Sequence, residues 1–309
     1  MSEECEWFVA AGGQYPVEQV LDVGLGKDWS SFASVAAVIP LRSLIGELDP
    51  TVCKLHCAVW NGEEYPIDVL ARSWDDWVGW NSWRGTRDDF NRRFIFSLAQ
   101  ARDNPSHWLF GGVFEVLGRR PTPGAWSYDV ELRDDLMGAF VKRLLVAFRL
   151  PGRAVRLNLE THVDRIEVVT ILPQPYAGEP FPGHDKINHP LGELEVVVAQ
   201  QRPDWHGALQ HMKGVYVIHD QVTGKPYVGS AYGDTGLWAR LSKYVTTLHG
   251  GNLGLRELVD REGRDYARAN LWFALLEFWS MRMPDDYVLA RESYWKDVLL
   301  SRKFGYNEN

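Results

Sequence analysis

Residues Leu172–Leu194, LPQPYAGEPFPGHDKINHPLGEL, carry five prolines and three glycines. Proline lacks a backbone N–H and fixes φ, so this stretch is neither a helix interior nor a central strand. It divides the chain into two segments with different patterning. A length of 309 residues suits two cores rather than one. The boundaries read as a first domain over 1–178, a linker over 179–195 and a second domain over 196–309.

Hydrophobic residues make up 45% and charged residues 24% of the chain, and no uninterrupted apolar run is long enough to span a bilayer. No membrane association is expected. The opening MSEECEWFVAAGGQ has acids where a secretory leader has Lys or Arg. With only three cysteines, Cys5, Cys53 and Cys57, the expectation is a cytoplasmic protein with reduced thiols. CKLHC could offer Cys53, His56 and Cys57 to a metal, but a structural zinc site needs a fourth ligand. Ordinary strand packing is the simpler reading. Net charge is −8, with 14 Lys+Arg against 13 Asp+Glu from residue 200 onward, so residues 1–199 carry −9. A polyanion would therefore be held by a local basic strip and not by the overall field.

Before the Pro/Gly segment, WLFGGVFEVLG, SYDVELR, KRLLVAFRL, AVRLNLE and RIEVVTIL read as strands, while PLRSLIGEL, DDFNRRFIFSLAQA and DDLMGAFV read as helices. After it, PDWHGALQHM is helical, and GVYVIH and KPYVGS are strands joined through the turn DQVTG. GLWARLSKYVTTL and LGLRELVDREG are helices, ARANLWFALLEFW is a strand, and DDYVLARESYWKDVLLS is a helix entered after Pro284. The fold class is α+β. The N-terminal domain is mixed α/β with a curved or barrel-like sheet. The C-terminal domain is a small three-stranded antiparallel sheet flanked by helices.

In the last of these helices Val288, Glu292, Trp295 and Leu299 recur at +4, +3 and +4 and share one face. Glu292 thus interrupts an apolar stripe. A carboxylate there costs free energy unless it is paired or binds a cation, which makes it a functional candidate. The bland alternative is an edge position, with the carboxylate reaching solvent or pairing with Arg291 or Lys296. In the helix after the hairpin, Arg240 and Tyr244 lie at i and i+4 beside the core stripe Leu237, Leu241, Val245 and Leu248. For Arg240 the bland reading is a guanidinium snorkelling over apolar surface.

Four separated pieces resemble one family in order: GVY and YVG with ten residues between them, LWARLSKY, RESYWKDVLLSRKFGYN with its Glu292, and Asn307. They resemble the GIY-YIG nuclease domain over roughly the last third of the chain. The resemblance implies that Tyr216 positions or deprotonates the attacking water and that Tyr227 bonds at the scissile phosphate. It implies that Arg240 stabilises phosphate charge and that Tyr244 serves proton transfer or water positioning. Glu292 matches the sole carboxylate ligand of one Mg²⁺ or Mn²⁺ ion, and Asn307 matches a supporting polar residue. Val215 and Val228 replace the family's isoleucines, a swap between β-branched residues without chemical consequence. A free tyrosine titrates near pH ~10, so Tyr216 can act as a base only if a neighbour lowers that value.

The N-terminal domain is expected to choose the target. Trp74, Trp77, Trp80 and Trp83 are spaced by three and followed by Arg84, Arg87, Arg92 and Arg93. Aromatic faces stack on bases and arginines hold phosphates, so Trp74, Trp77, Trp80, Trp83, Arg84 and Arg87 are candidate nucleic-acid contacts, with Lys243 beside Arg240. The bland reading is a Trp-rich cover over a core. HWLFGGVFEVLGRRP resembles the core strand of PUA-like modules (EVE, YTH, SRA), several of which flip a modified base into an aromatic pocket. The expectation is a metal-dependent DNA endonuclease of restriction or host defence acting on double-stranded DNA, with dependence on modified bases if the PUA-like resemblance holds. A homodimer would cut both strands. The alternatives are a repair or mobile-element nuclease and a catalytically silent nucleic-acid-binding protein.

Overall fold

The computed structural model describes residues 39–308, together with the backbone of two short paired strands, β1 (Trp7–Ala10) and β2 (Gly13–Pro16). Cys5 lies outside the described residues. Ile39–Asn309 forms one compact unit, whose first half contains β3 (Cys53–Ala58), α1 (Pro66–Arg72), α2 (Trp74–Ser82), β4 (Trp83–Arg84), β5 (Phe94–Gln100), β6 (His107–Thr122), β7 (Ala125–Leu132), β8 (Leu144–Ala147), β9 (Arg156–Asn158) and β10 (Glu167–Ile171). Its strands run in the order β10-β8-β6-β5-β3-β9, with β7 on the far part of β6 and β4 on β7. The result is a curled half-barrel. β3 and β5 are parallel, joined by a crossover that holds α1 and α2, and the other pairs are antiparallel.

The paired glycines of HWLFGGVF mark where β6 bends. A Cβ at Gly111 would fall 2.3 Å from the Trp77 ring, and Gly112 has φ +113°, so neither position takes a side chain without displacement. Trp77 lies against this bare backbone, and its Nε1–H donates to the Gly111 carbonyl at 2.9 Å.

Three expectations of helix fail here. DDFNRRFIFSLAQA contains strand β5, whose first six residues are all buried. A strand covered on both faces loses its alternation, and a continuous apolar run then resembles a buried helix. PLRSLIGEL and DDLMGAFV form only single 3₁₀ turns, Leu41–Ser43 and Gly138–Phe140. In CKLHC, strand geometry turns Cys53 and Cys57 to the core face with Leu55, while His56 points the other way to Asn81, with Nδ1 2.8 Å from Oδ1. Burial pushes both thiols up, that of Cys53 to about 12. Among the described residues no three His, Cys, Asp or Glu side chains group around a metal-sized space.

The second half contains β11 (Asn188–Pro190), α3 (Leu191–Ala199), α4 (Pro203–Leu209), β12 (Met212–Asp220), β13 (Pro226–Ala231), α5 (Gly236–Thr247), α6 (Leu253–Glu262), α7 (Arg264–Asn270), β14 (Leu271–Ser280), α8 (Asp285–Val298) and α9 (Ser301–Phe304). Its sheet has four strands, β11-β14-β12-β13, and not the expected three. The added strand comes from the Pro/Gly-rich segment, with Asn188 opposite Ala274 and Pro190 opposite Trp272. A proline is tolerated there because β11 is an edge strand. ARANLWFALLEFW also splits, its first residues closing α7 before β14 begins.

Successive residues of β12 face opposite sides. Val215 and Val217 pack with Val228 and Val288 under α8, whereas Tyr216 and Ile218 join the larger core beneath α3, α5 and α6. The halves meet through helices. Glu195 on α3 bonds Arg268 on α7 at 2.8 Å and lies 3.4 Å from Arg72 on α1. The Gln200 amide donates to the Ala71 carbonyl at 2.8 Å. No helix among the described residues is long and apolar enough to cross a membrane.

Candidate active site

The tyrosine of GVY and the glycine of YVG are direct partners in the β12–β13 register, Tyr216 opposite Gly229. A Cβ at Gly229 would lie 2.6 Å from the Tyr216 hydroxyl oxygen. Because that atom is missing, the Tyr216 ring passes across β13 toward the edge of the sheet. Gly214 has a similar reason: its Cβ would fall 2.6 Å from the Glu277 carbonyl, beside the bulge where β12 shifts register on β14.

At this edge the two faces of the sheet meet in a pocket of about 360 Å³. Tyr216, Tyr227 and Arg240 reach it from the α5 side, and Ser230, Glu292 and Lys296 from the α8 side. Tyr216 is buried, stacks on Phe273 with ring centres 4.9 Å apart, and donates its hydroxyl to that of Tyr244 at 3.3 Å. Tyr227 tilts against Tyr244, ring centres 6.1 Å apart. Burial, followed by the adjacent Tyr227, pushes the Tyr216 phenol up, and Arg240 and the Tyr244 hydroxyl do not reverse it. Burial also raises Tyr227 and Tyr244. In this arrangement the phenols are hydrogen-bonding groups held protonated at neutral pH.

Glu292 leaves its apolar stripe through two partners. The Ser230 hydroxyl donates to Oε2, and Lys296 Nζ lies 2.8 Å from Oε1. Of the pairings open to it from sequence, that with Lys296 forms, while Arg291 turns to Glu277. Arg302, bonded to Asp297 at 2.6 Å, closes the rim. Tyr227, Arg240, Glu292 and Lys296 also line an adjoining trough that runs past Lys243 to Gly250 and Gly251.

Asn307 is buried and stands apart from the pocket. Its side chain accepts from the Val228 N–H at 2.8 Å and donates to the Val228 carbonyl at 2.9 Å. It thus acts as a one-residue neighbour strand for the free edge of β13. Ser230 and Arg302 are missed by pattern reading, since a lone Ser in a strand and an Arg on a charged helix carry no signal without their neighbours in space.

The N-terminal candidates scatter. Trp77 is sealed in the core, and Trp74 stacks on Phe114 with ring centres 5.9 Å apart. Trp80, Trp83 and Arg84 line a separate pocket of about 380 Å³ with His56, Trp60 and Arg156. Trp83 and Trp60 are 56% and 52% exposed. Arg87 is exposed and outside this pocket. The Arg84 guanidinium covers the Phe90 ring at 4.1 Å and donates to the Trp80 carbonyl at 2.7 Å. Among the described residues no carboxylate lies within 4.0 Å of it, and its Nε is buried without a partner. Burial, with Arg156 next, lowers its pKa to about 9.

No protein-family model and no curated protein matches the chain. Among solved structures, the catalytic domain of the intron endonuclease I-TevI, as a point mutant, is 23% identical over 32% of this chain and 94% of its own, with a TM-score of 0.26. A second structure, described as the catalytic domain of homing endonuclease I-TevI, is 21% identical over 31% of this chain and 98% of its own, with a TM-score of 0.25.

Proposed function

We propose that the chain is a DNA endonuclease of GIY-YIG type, hydrolysing phosphodiester bonds at the pocket on the edge of β13. The observation that carries this reading is the charge balance of that pocket. Three cationic side chains, Arg240, Lys296 and Arg302, the last also paired with Asp297 outside the pocket, and the hydroxyls of Tyr216 and Tyr227 surround a single lining carboxylate, Glu292. Such a site suits an anion whose negative charge grows during reaction. Arg240, on the wall shared by pocket and trough, would hold the non-bridging oxygens. The Tyr216–Tyr244 pair would orient the water, and Asn307 would keep β13 in register beneath them.

One carboxylate with space around it fits a hard divalent cation, which keeps most coordination positions for water and phosphate. Glu292 would hold it once Lys296 yields an oxygen. When bound, such a cation lowers the pKa of water and stabilises charge on the phosphate. The assignment is tested by plasmid nicking with Mg²⁺, with Mn²⁺ and with chelator, on matched DNA and RNA. Metal-dependent nicking of DNA is expected. No cleavage of any substrate would leave the silent nucleic-acid-binding alternative. A single pocket cuts one strand, so duplex scission calls for two copies or two successive nicks.

The Trp60–Trp83 pocket favours a second element of the reading, a restriction enzyme that contacts an unstacked base. Among the described residues the Arg84 guanidinium bonds only neutral acceptors, the Trp80 and Trp83 carbonyls and His56. The nearby Asp89 is paired with Arg156, which leaves the Arg84 charge available to an acceptor on a ligand, and indole faces suit a planar ring. Trp83→Ala is expected to weaken DNA binding by about five- to 150-fold, the equivalent of the ~1–3 kcal/mol lost when a stacked base loses its aromatic partner. A panel of unmodified, 5-methyl-, 5-hydroxymethyl- and glucosylated-cytosine DNAs tests the choice of base. Equal cutting of all of them would reject dependence on modification.

A further inference from the structure

Both oxygens of Glu292 are already engaged, Oε2 by the Ser230 hydroxyl and Oε1 by the Lys296 ammonium at 2.8 Å. The spacing is i, i+4 on α8, common for surface pairs that contribute little. This pair differs in its surroundings. The side chains are 16% and 10% exposed, and both residues line the pocket and the trough. Lys296 therefore has its ammonium where a catalytic cation would need the same carboxylate lone pairs. Two positive charges at one carboxylate repel strongly at such distances, most of all away from bulk water.

We propose that Lys296 is a tethered counter-cation: it neutralises Glu292 in the resting site, and a divalent cation binds only by taking over that carboxylate. The released ammonium then lies on the wall shared by pocket and trough and faces the phosphate. Lys296 is a positioning residue that sets divalent affinity. This rests on the reading of Glu292 as the metal-holding carboxylate.

The probe is Mn²⁺ alone, titrated without nucleic acid into the full chain and followed by the electron spin resonance of free Mn²⁺. Lys296→Met, which keeps the aliphatic stem, is expected to tighten Mn²⁺ binding about tenfold or more, the equivalent of ~1.4 kcal/mol. Lys296→Arg should stay near the wild-type affinity, and adding Glu292→Gln to Lys296→Met should abolish the gain. Unchanged or weaker binding in Lys296→Met, or a gain that survives loss of Glu292, overturns the proposal.

A measurement on the unaltered protein avoids any folding defect: Mn²⁺ should speed acylation of Lys296 by a water-soluble ester, read by mass spectrometry. Equal or slower labelling overturns the proposal as well. Cleavage assays separate the two readings. A Mn²⁺ effect without DNA cleavage sinks the nuclease and keeps the exchange at Glu292. Glu292-dependent cleavage without the effect does the reverse.

Discussion

Glu292→Gln is expected to keep the fold, at some cost in stability from the lost ion pair with Lys296, and to keep DNA binding while lowering phosphodiester cleavage by about 10³-fold or more, the scale of losing a principal charge-stabilising group. The amide matches the carboxylate in size, but its one oxygen accepts from either Ser230 Oγ or Lys296, so the shape along α8 survives while one hydrogen bond and the ion pair are lost. What disappears is the negative charge, without which a hard cation has no anchoring ligand among the residues of the pocket. Gel-shift binding, thermal unfolding and single-turnover cleavage on one DNA substrate separate these effects. Retained Mg²⁺-dependent cleavage within a few-fold of wild type would remove Glu292 from the mechanism.

Gly229→Ala should be nearly as damaging by a different route. The new methyl would lie 2.6 Å from the Tyr216 hydroxyl oxygen and 2.8 Å from its Cζ. The Tyr216 ring is fixed from behind by Phe273, so the hydroxyl must leave its place against Tyr244 or the strands must part. Overpacking of a tight core costs ~1–3 kcal/mol, and a displacement near 1 Å at a reacting group costs about 10²-fold in rate. Both are expected, read by denaturant unfolding and by kcat. Wild-type stability and rate in this variant would mean that the Tyr216 hydroxyl has no fixed place in the reaction.

These positions show what sequence can carry. The helices bearing Arg240 and Glu292 were legible because a 3.6-residue apolar stripe survives wherever one face is buried, and Glu292 was conspicuous as its one interruption. The hairpin was legible from its turn and its mirrored triplets. The fourth strand was not, because Asn188–Pro190 pairs with Leu271–Ser280 far along the chain and its three residues carry no alternation of their own. β5 was misread because both its faces are buried. Among the tryptophans, spacing by three on α2 keeps neighbours on one side, so Trp74, Trp77 and Trp80 pack into one cluster while Trp83, just past the helix end, stands out. No local pattern distinguishes Trp77 from Trp83, since the difference lies in the bare Gly111 backbone that receives Trp77.

Glu195, between Arg72 and Arg268, has a consequence for where a strand would be cut. The bridge and the Gln200–Ala71 bond tie the half with the tryptophan pocket to the half with the carboxylate pocket inside one compact unit. A nucleotide seated in the first pocket would then fix the register of the backbone at the second. Cleavage should fall at a single offset from the bound nucleotide, a sharp band on a sequencing gel. Charge reversal at Glu195 should broaden that band into a ladder before it lowers the total amount of product.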